Sequence, residues 1–164
     1  MARKKTPANY AEIRDFLLSN IEKADAAVLS IDTLLYGGLI PSRLHTLGED
    51  EALERLMLLK TLREKNPSVK LYAFHCIMRC PTYSSDDEEP DYYADYGAEI
   101  HQLGRLTHLE KLGMGDAQDC AAMREKIDAD ALADYLNRRA FNRRMNIRTL
   151  DLVEDGTIDF LIIP

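Results

Sequence analysis

The stretch that decides the fold is Ala26-Ala27-Val28-Leu29-Ser30-Ile31-Asp32, a continuous apolar run that stops at an acid. Short uninterrupted apolar runs are typical of strands that are covered on both faces of a parallel sheet. Two later runs have the same character, one starting at residue 69 and one at residue 158. The pattern therefore predicts strands over residues 26–32, 69–77 and 158–163 in one parallel sheet.

Helical spacing of apolar residues fills the segments between these runs. A first helix is predicted over residues 7–23, with Thr6 as its N-cap and Pro7 at its first position. A second carries the apolar stripe from Leu53 to Leu62 and ends at Asn66-Pro67. Further helices are predicted over residues 91–112, 116–126 and 128–156. Strands separated by helices predict an α/β fold, specifically a three-layer αβα arrangement with a mostly parallel, Rossmann-like sheet.

We expect disordered residues 1–6 and then one α/β domain over residues 7–164. Three strands are few for a free-standing sheet, and the sequence stops on its last strand. The sheet is therefore predicted to be incomplete and the chain to be a fragment of a larger protein. An incomplete sheet leaves an unpaired edge beside apolar surface, so self-association is expected.

Composition narrows the class of partner. The 46% hydrophobic and 30% charged content is that of a globular protein. A net charge of −7 repels phosphate backbones, so no nucleic acid partner is predicted. No apolar run approaches the ~20 residues that span a bilayer, and no signal-peptide pattern follows Met1. Cys76, Cys80 and Cys120 lack zinc-site spacing and cannot all pair, which favours a reducing, cytoplasmic location.

The first candidate site segment follows the first strand. Ligands of open parallel sheets bind beyond the carboxyl ends of the strands, which is where Asp32 falls. The Gly37-Gly38 pair allows a backbone to approach a ligand, and Arg43 offers two parallel donors to an anion. The spacing matches neither a P-loop nor a dinucleotide fingerprint. The structural alternative is that Asp32 caps the turn while Tyr36 packs in the core.

The second and third candidate segments supply Arg79, Arg139 and Asn142. Arg79 ends the second strand, and it is predicted either to bind substrate or to pair with an acid of the 88–91 region. Asn142 and Asn146 form a polar line with Arg139 on the last helix, level with the same sheet edge. The alternative for that helix is a solvated charged face.

The histidine positions are weaker evidence for a catalytic or metal site than the three segments above. His75 lies inside an apolar strand, where a hydrogen-bonded core histidine is a better interpretation than a catalyst. His101 and His108 fall seven apart on one predicted helix, but no third ligand accompanies them. No metal site is predicted, and no cofactor is indicated.

At these segments the chain resembles a bacterial family known as domain of unknown function 4127, over residues 6–164. Residues 30–43 are similar to the family pattern Ser-Ile-Asp-x-Leu-x-Tyr-Gly-Gly-Leu-x-x-Ser-Arg. Residues 77–79, 89–92 and 139–142 are similar to shorter family signatures. The resemblance implies a longer parent protein, of which this chain is the central part, and no established activity.

These observations favour part of an enzyme, hydrolase-like, that acts on a small polar or sugar-like metabolite. Asp32 is predicted to serve as the acid, base or hydroxyl-binding carboxylate, and Arg43 and Arg79 to hold an anionic group. A single carboxylate does not supply the pair that glycoside cleavage usually needs. The alternative is a non-catalytic module that binds a ligand or docks a partner through Tyr92, Tyr93 and Tyr96.

Overall fold

The computed structural model describes residues 4–164, and within them it contains six α-helices and three β-strands. The helices are α1 (Tyr10–Asn20), α2 (Ile31–Tyr36), α3 (Glu49–Lys65), α4 (Tyr93–Lys111), α5 (Ala117–Arg124) and α6 (Ala129–Glu154). The strands are β1 (Ala26–Ser30), β2 (Lys70–Phe74) and β3 (Phe160–Ile162).

The three strands form one open sheet in the order β1-β2-β3, and both pairings are parallel. Residues 26–30 pair in register with residues 70–74, and Tyr72 pairs with Phe160. The β2–β3 hydrogen bonding runs on past the strands, since the Ile77 N–H donates to the Pro164 carbonyl oxygen at 3.1 Å. The predicted α/β class and its all-parallel sheet are confirmed.

Several predicted boundaries are wrong by two or three residues, among them the end of the second strand, which lies at Phe74 and not at residue 77. Two others have a clear local cause. The first helix begins at Tyr10 and not at Pro7, because Asn9 is the N-cap and its side chain accepts the Ala11 N–H at 2.9 Å. The first strand ends at Ser30 and not at Asp32, because the Ser30 hydroxyl accepts the Thr33 N–H at 3.2 Å and starts α2. Ser30 lies inside the apolar run, and by capping α2 it ends the strand and begins the helix.

One face of the sheet packs into a hydrophobic core. Leu29, Leu71 and Ala73 are buried against helical residues that are themselves fully buried, such as Leu59 and Met145. Each buried leucine or methionine side chain contributes about 1.5–3 kcal/mol of transfer free energy on burial. This core holds the carboxyl ends of β1 and β2 in fixed positions.

The opposite face of the sheet remains exposed in the part of the chain that the structure describes. The expectation that the strands would be covered on both faces is therefore wrong, because alternate residues of each strand face solvent. The apolar side chains on this open face are Val28 (74% exposed), Tyr72 (40%), Phe74 (38%), Phe160 (55%) and Ile162 (53%). We call these five residues the open sheet face.

The chain divides into two compact units. The sheet unit comprises residues 4–78 and 140–164, and the helical unit comprises residues 79–139. The single domain predicted over residues 7–164 stays a prediction. Of the stretch predicted as disordered, residues 1–3 lie outside the described residues, and Lys4 and Lys5 form a turn. Among residues 4–164, no helix has the length and apolar character to cross a membrane.

Candidate functional site

Asp32 lies at the carboxyl edge of the sheet, in the first turn of α2, and is only 2% exposed. Its Oδ2 accepts the backbone N–H of Cys76 at 2.9 Å, which ties α2 to the segment that follows β2. Burial raises the pKa of Asp32, while the Cys76 hydrogen bonds and the positive charge of Arg43 oppose that shift. The site therefore holds a carboxyl group that protonates more readily than a solvated aspartate.

Arg43 is also buried, at 4% exposure, in the short 3₁₀ turn Pro41–Arg43. Its charge lowers the pKa of Asp32 and that of the Cys76 thiol, so it lies within electrostatic reach of both. Burial and the neighbouring Asp32 nevertheless leave the pKa of Cys76 raised. Cys76 is thus a protonated thiol, which is unsuited to act as a nucleophile.

Tyr36 ends α2 and places its ring between two histidines. Its ring stacks on His45, with centroids 4.5 Å apart, and lies 6.5 Å from the ring of His75. Burial and the nearby Asp32 charge raise the pKa of the Tyr36 phenol, so the hydroxyl stays protonated. The Tyr36 hydroxyl is buried, and no group among residues 4–164 forms a hydrogen bond with it.

His75 follows β2 directly and is 1% exposed. Its Nδ1 lies 2.9 Å from the Thr149 hydroxyl, and that hydroxyl donates its only proton to the Met145 carbonyl oxygen at 2.9 Å. The Thr149 hydroxyl therefore accepts a hydrogen bond from Nδ1–H, which leaves Nε2 as an unprotonated acceptor. Burial lowers the pKa of His75 to about 4, so the ring is neutral at pH 7.

The Nε2 atom of His75 is buried and has no hydrogen-bond partner in the described part of the chain. The prediction of a buried, hydrogen-bonded histidine is confirmed for Nδ1 alone. An orphaned acceptor on His75 and an orphaned donor on Tyr36 therefore lie on neighbouring rings. Unpaired buried polar atoms are costly and rare, so this pair marks the carboxyl edge of β2 as a functional candidate.

Asn142 fixes the second histidine of the cluster. Its Nδ2 donates to the Ser42 carbonyl oxygen at 2.8 Å, and its Oδ1 lies 3.0 Å from His45 Nε2. His45 Nδ1 accepts the Leu47 N–H at 3.1 Å, so Nε2 carries the proton that it donates to Asn142. Asn142 thereby joins α6 to the turn that contains Arg43.

The buried stripe of α6 is polar at this point. Asn142, Asn146 and Thr149 are at most 7% exposed, while Ile147 and Leu150 are nearly half exposed. At this point of α6 the polar side chains are buried and the apolar ones are half exposed. Asn146 Nδ2 donates to the Cys76 carbonyl oxygen at 3.3 Å, so α6 presents its amides to the end of β2.

Gly37 and Gly38 have conformations that favour glycine, with φ of 82° and 149°. Gly37 is the C-cap of α2, and its carbonyl oxygen accepts the Ala8 N–H at 2.9 Å. A Cβ at Gly37 would lie 2.6 Å from the Pro7 side chain and 2.7 Å from the Ala8 backbone. The backbone that approaches Gly37 is thus the segment before α1.

A cavity of about 440 Å³ opens beside this cluster within the sheet unit. Tyr36 and His45 line its inner side, and Tyr10, Glu51 and Arg55 line its outer side. The guanidinium of Arg55 lies over the Tyr10 ring, 4.7 Å from its centroid. The cavity is large enough for a small metabolite, and it ends on the stacked rings.

The remaining predicted site residues, Arg79 and Arg139, belong to the helical unit. Arg79 donates from Nε to the buried Glu89 at 2.9 Å and from Nη2 to Glu88 at 2.8 Å. The pairing predicted between Arg79 and these acids is therefore found. Arg139 donates to the Tyr135 hydroxyl at 3.5 Å.

The predicted docking surface of Tyr92, Tyr93 and Tyr96 is only partly accessible within the helical unit, since Tyr92 and Tyr96 are half-buried. Tyr93 is fully buried, and the Tyr92 hydroxyl donates to Asp134 at 2.8 Å. Gly97 permits a close approach, since a Cβ there would lie 2.5 Å from the Tyr83 carbonyl oxygen. Gly104 permits none, because nothing lies within 4 Å of its Cβ position.

Three members of the cluster in the sheet unit were not predicted as site residues from the sequence, namely His45, Cys76 and Thr149. Thr149 was detectable, because it continues the spacing of Asn142 and Asn146 along the same helix face. Cys76 contributes backbone atoms, which no side-chain pattern reveals. Among residues 4–164, no group of three or more His, Cys, Asp and Glu side chains is placed to hold a metal ion.

Comparison with known proteins gives one match. A family model described as protein of unknown function (DUF4127) matches residues 1–164. No curated protein and no solved structure matches the chain. With a family model that covers its entire length, the chain belongs to the DUF4127 family.

Proposed function

We propose that the sheet unit binds a small, hydroxyl-rich metabolite at the carboxyl ends of β1 and β2 and takes part in hydrolase-like chemistry on it. The observation that carries this proposal is the orphaned pair formed by the Tyr36 hydroxyl and His75 Nε2. A hydroxyl group of a ligand can accept from Tyr36 and donate to His75 at the same time. A sugar-like molecule supplies such hydroxyls on a compact frame.

The protonation behaviour of Asp32 and His75 supports proton transfer at the orphaned pair. Burial raises the pKa of Asp32, which favours a carboxyl group that can give as well as take a proton. The neutral His75 ring is a proton acceptor at Nε2. Asp32 is proposed as the acid–base group and His75 as the group that orients a hydroxyl or a water molecule.

The other predicted residues have supporting roles in this proposal. Arg43 balances the charge of Asp32, and Asn142 fixes the ring of His45 against Tyr36. Tyr36 donates to the ligand, while Gly37 and Gly38 shape the turn that carries it. Arg79, which already holds two carboxylates, and Arg139 lie in the helical unit and have no role in this proposal.

A screen of methyl glycosides, sugar acids and polyols against the full chain tests the proposal. Ligand-observed NMR detects binding, and product analysis of the same samples detects hydrolysis. Binding that weakens at least tenfold in Tyr36→Phe, together with turnover that is lost in Asp32→Asn, supports the enzyme. Binding without turnover supports the non-catalytic ligand-binding alternative, and no binding by any member contradicts both.

The open sheet face favours a second candidate, self-association with another copy of this chain. Val28, Tyr72 and Phe160 lie in one row across the three strands, and Phe74 and Ile162 lie side by side in the next. Neither row contains a charged residue, so two copies can pack these faces together without burying a charge. Light scattering of the wild type and of Val28→Lys separates the two states. A monomeric wild type at high concentration would contradict this candidate.

A further inference from the structure

The helical unit contains a cavity of about 510 Å³ that is not used by the site described above. Residues of α4, α5 and the first part of α6 line it, together with Cys80. Six of the lining side chains are basic or can become so: His101, Arg105, His108, Lys111, Arg124 and Arg139.

Among the described residues, no carboxylate lines this cavity, although the chain has 28 Asp and Glu residues against 21 Lys and Arg. Within the described part of the helical unit, ion pairs join Arg79 to Glu88 and Glu89, and Arg138 to Asp134. None of them involves Arg105, Lys111 or Arg124. Gathering like charges around a concave surface costs free energy, and a bound anion recovers it.

The inner wall of the cavity is apolar. Ile100, Leu103 and Leu132 line it and are 2%, 4% and 6% exposed. A site with an apolar wall and a basic rim fits an organic anion better than an inorganic one, because the carbon frame gains from burial while the anionic group meets the rim.

Gly104 gives independent support for an occupant. It lies inside α4 and lines the cavity, and a Cβ there would meet no heavy atom within 4 Å. Glycine inside a helix costs about 1 kcal/mol relative to alanine. Neither a close approach nor a positive φ requires glycine at this position. What its missing side chain provides is space within the cavity.

We infer that this cavity binds a small organic phosphate, with the phosphate group on the Arg105, Arg124 and Arg139 guanidinium groups. A phosphate monoester carries a charge of about −1.5 to −2 at pH 7 and three acceptor oxygens, which suits several arginines. Arginine forks also bind phosphate through two parallel hydrogen bonds. The organic part then lies against Ile100, Leu103 and Leu132.

Calorimetric titration of the full chain with phenyl phosphate tests this inference, with benzoate and inorganic phosphate as comparison ligands. Phenyl phosphate is expected to bind most tightly, since it combines two charges with an apolar ring. Binding should weaken at least tenfold in Arg124→Gln and in Gly104→Leu, which projects a large side chain into the cavity. It should weaken less in Gly104→Ala, which takes up little of the space, and it should be unchanged in Arg143→Gln, a charge control outside the cavity.

Three results would overturn the inference. They are no binding of phenyl phosphate, equal binding of benzoate, and equal binding by the wild type and Arg124→Gln. The last comparison does not depend on whether Gly104→Leu folds, and thermal unfolding of every variant checks the fold. Because the inference involves only the helical unit, it stands or fails separately from metabolite binding at Tyr36 and His75.

Discussion

Tyr36 and His75 lie with their ring centroids 6.5 Å apart, and each has a buried polar atom that no described residue satisfies. One atom is a donor and the other an acceptor, which are the two roles that a ligand hydroxyl group complements. Their arrangement suggests that this edge of the sheet is built for binding at some cost in stability.

Replacing Tyr36 with phenylalanine tests that cost. An unpaired buried hydroxyl is unfavourable by about 1–3 kcal/mol, so Tyr36→Phe should be as stable as the wild type or more stable. The free energy of unfolding from urea denaturation provides the measurement. A loss above about 1 kcal/mol would mean that the hydroxyl is satisfied in the free protein.

The pKa of His75 predicts a pH dependence of stability. Its folded pKa of about 4 lies below the ordinary value of 6.5, so the unfolded state takes up more protons between these values. The contribution of His75 is fully present above pH 6.5 and is lost as the pH falls toward 4, by on the order of 3 kcal/mol.

Urea denaturation at pH 7 and pH 4.5, in the wild type and His75→Gln, isolates this effect. The wild type should lose more stability on acidification than the variant. Asp32 acts with the opposite sign, because its pKa is raised in the folded state, and it is present in both proteins. Equal losses in the two proteins would show that His75 does not titrate as described.

Gly37 should be far less tolerant of substitution than another glycine with the same backbone conformation. Gly37 and Gly156 have φ of 82° and 80°, but only Gly37 has neighbours against its Cβ position. Gly156→Ala should cost about 1–2 kcal/mol from its backbone conformation. Gly37→Ala should cost clearly more, because the Ala8 backbone must also move. Equal losses of unfolding free energy would contradict the packing of residues 7–8 against α2.

Arg79 should be important for the stability of the helical unit. It holds Glu89, which is 1% exposed, and removing the guanidinium leaves a buried carboxylate with fewer donors. Arg79→Gln should therefore reduce the unfolding free energy by about 1–3 kcal/mol. Glu88→Gln is the matched control, since Glu88 is 43% exposed and its pair should contribute little. A similar loss in both variants would exclude Glu89 as the reason.

The sequence predicts most of the fold, because three apolar runs and the helical spacing between them are strong local signals. It misplaces the end of β1 because the side chain of Ser30 caps a helix, and propensity within an apolar run does not reveal a cap. It also misses the open sheet face, since an apolar run looks the same whether one face or both are covered.

The site is predicted only in part for a different reason. Asp32, Tyr36, Arg43 and Asn142 share one cluster in the sheet unit because chain positions beside strand ends meet at one sheet edge. The tautomer of the His75 ring depends on two linked hydrogen bonds, from Nδ1 to the Thr149 hydroxyl and from that hydroxyl to the Met145 carbonyl oxygen. His75 and Thr149 are 74 positions apart in the chain, and no sequence pattern connects them.

Long-range ¹H–¹⁵N NMR of the His75 ring at pH 7, with and without a hydroxyl-rich ligand from the glycoside and polyol screen, tests the central claim most directly. We predict an Nε2 that is unprotonated in the free protein and whose chemical shift moves on saturation, while Nδ1 keeps its proton. Replacing Tyr36 with phenylalanine should weaken the ligand and leave the free tautomer unchanged. A protonated Nε2 in the free protein, or an Nε2 shift that stays constant at saturating ligand, would contradict the account.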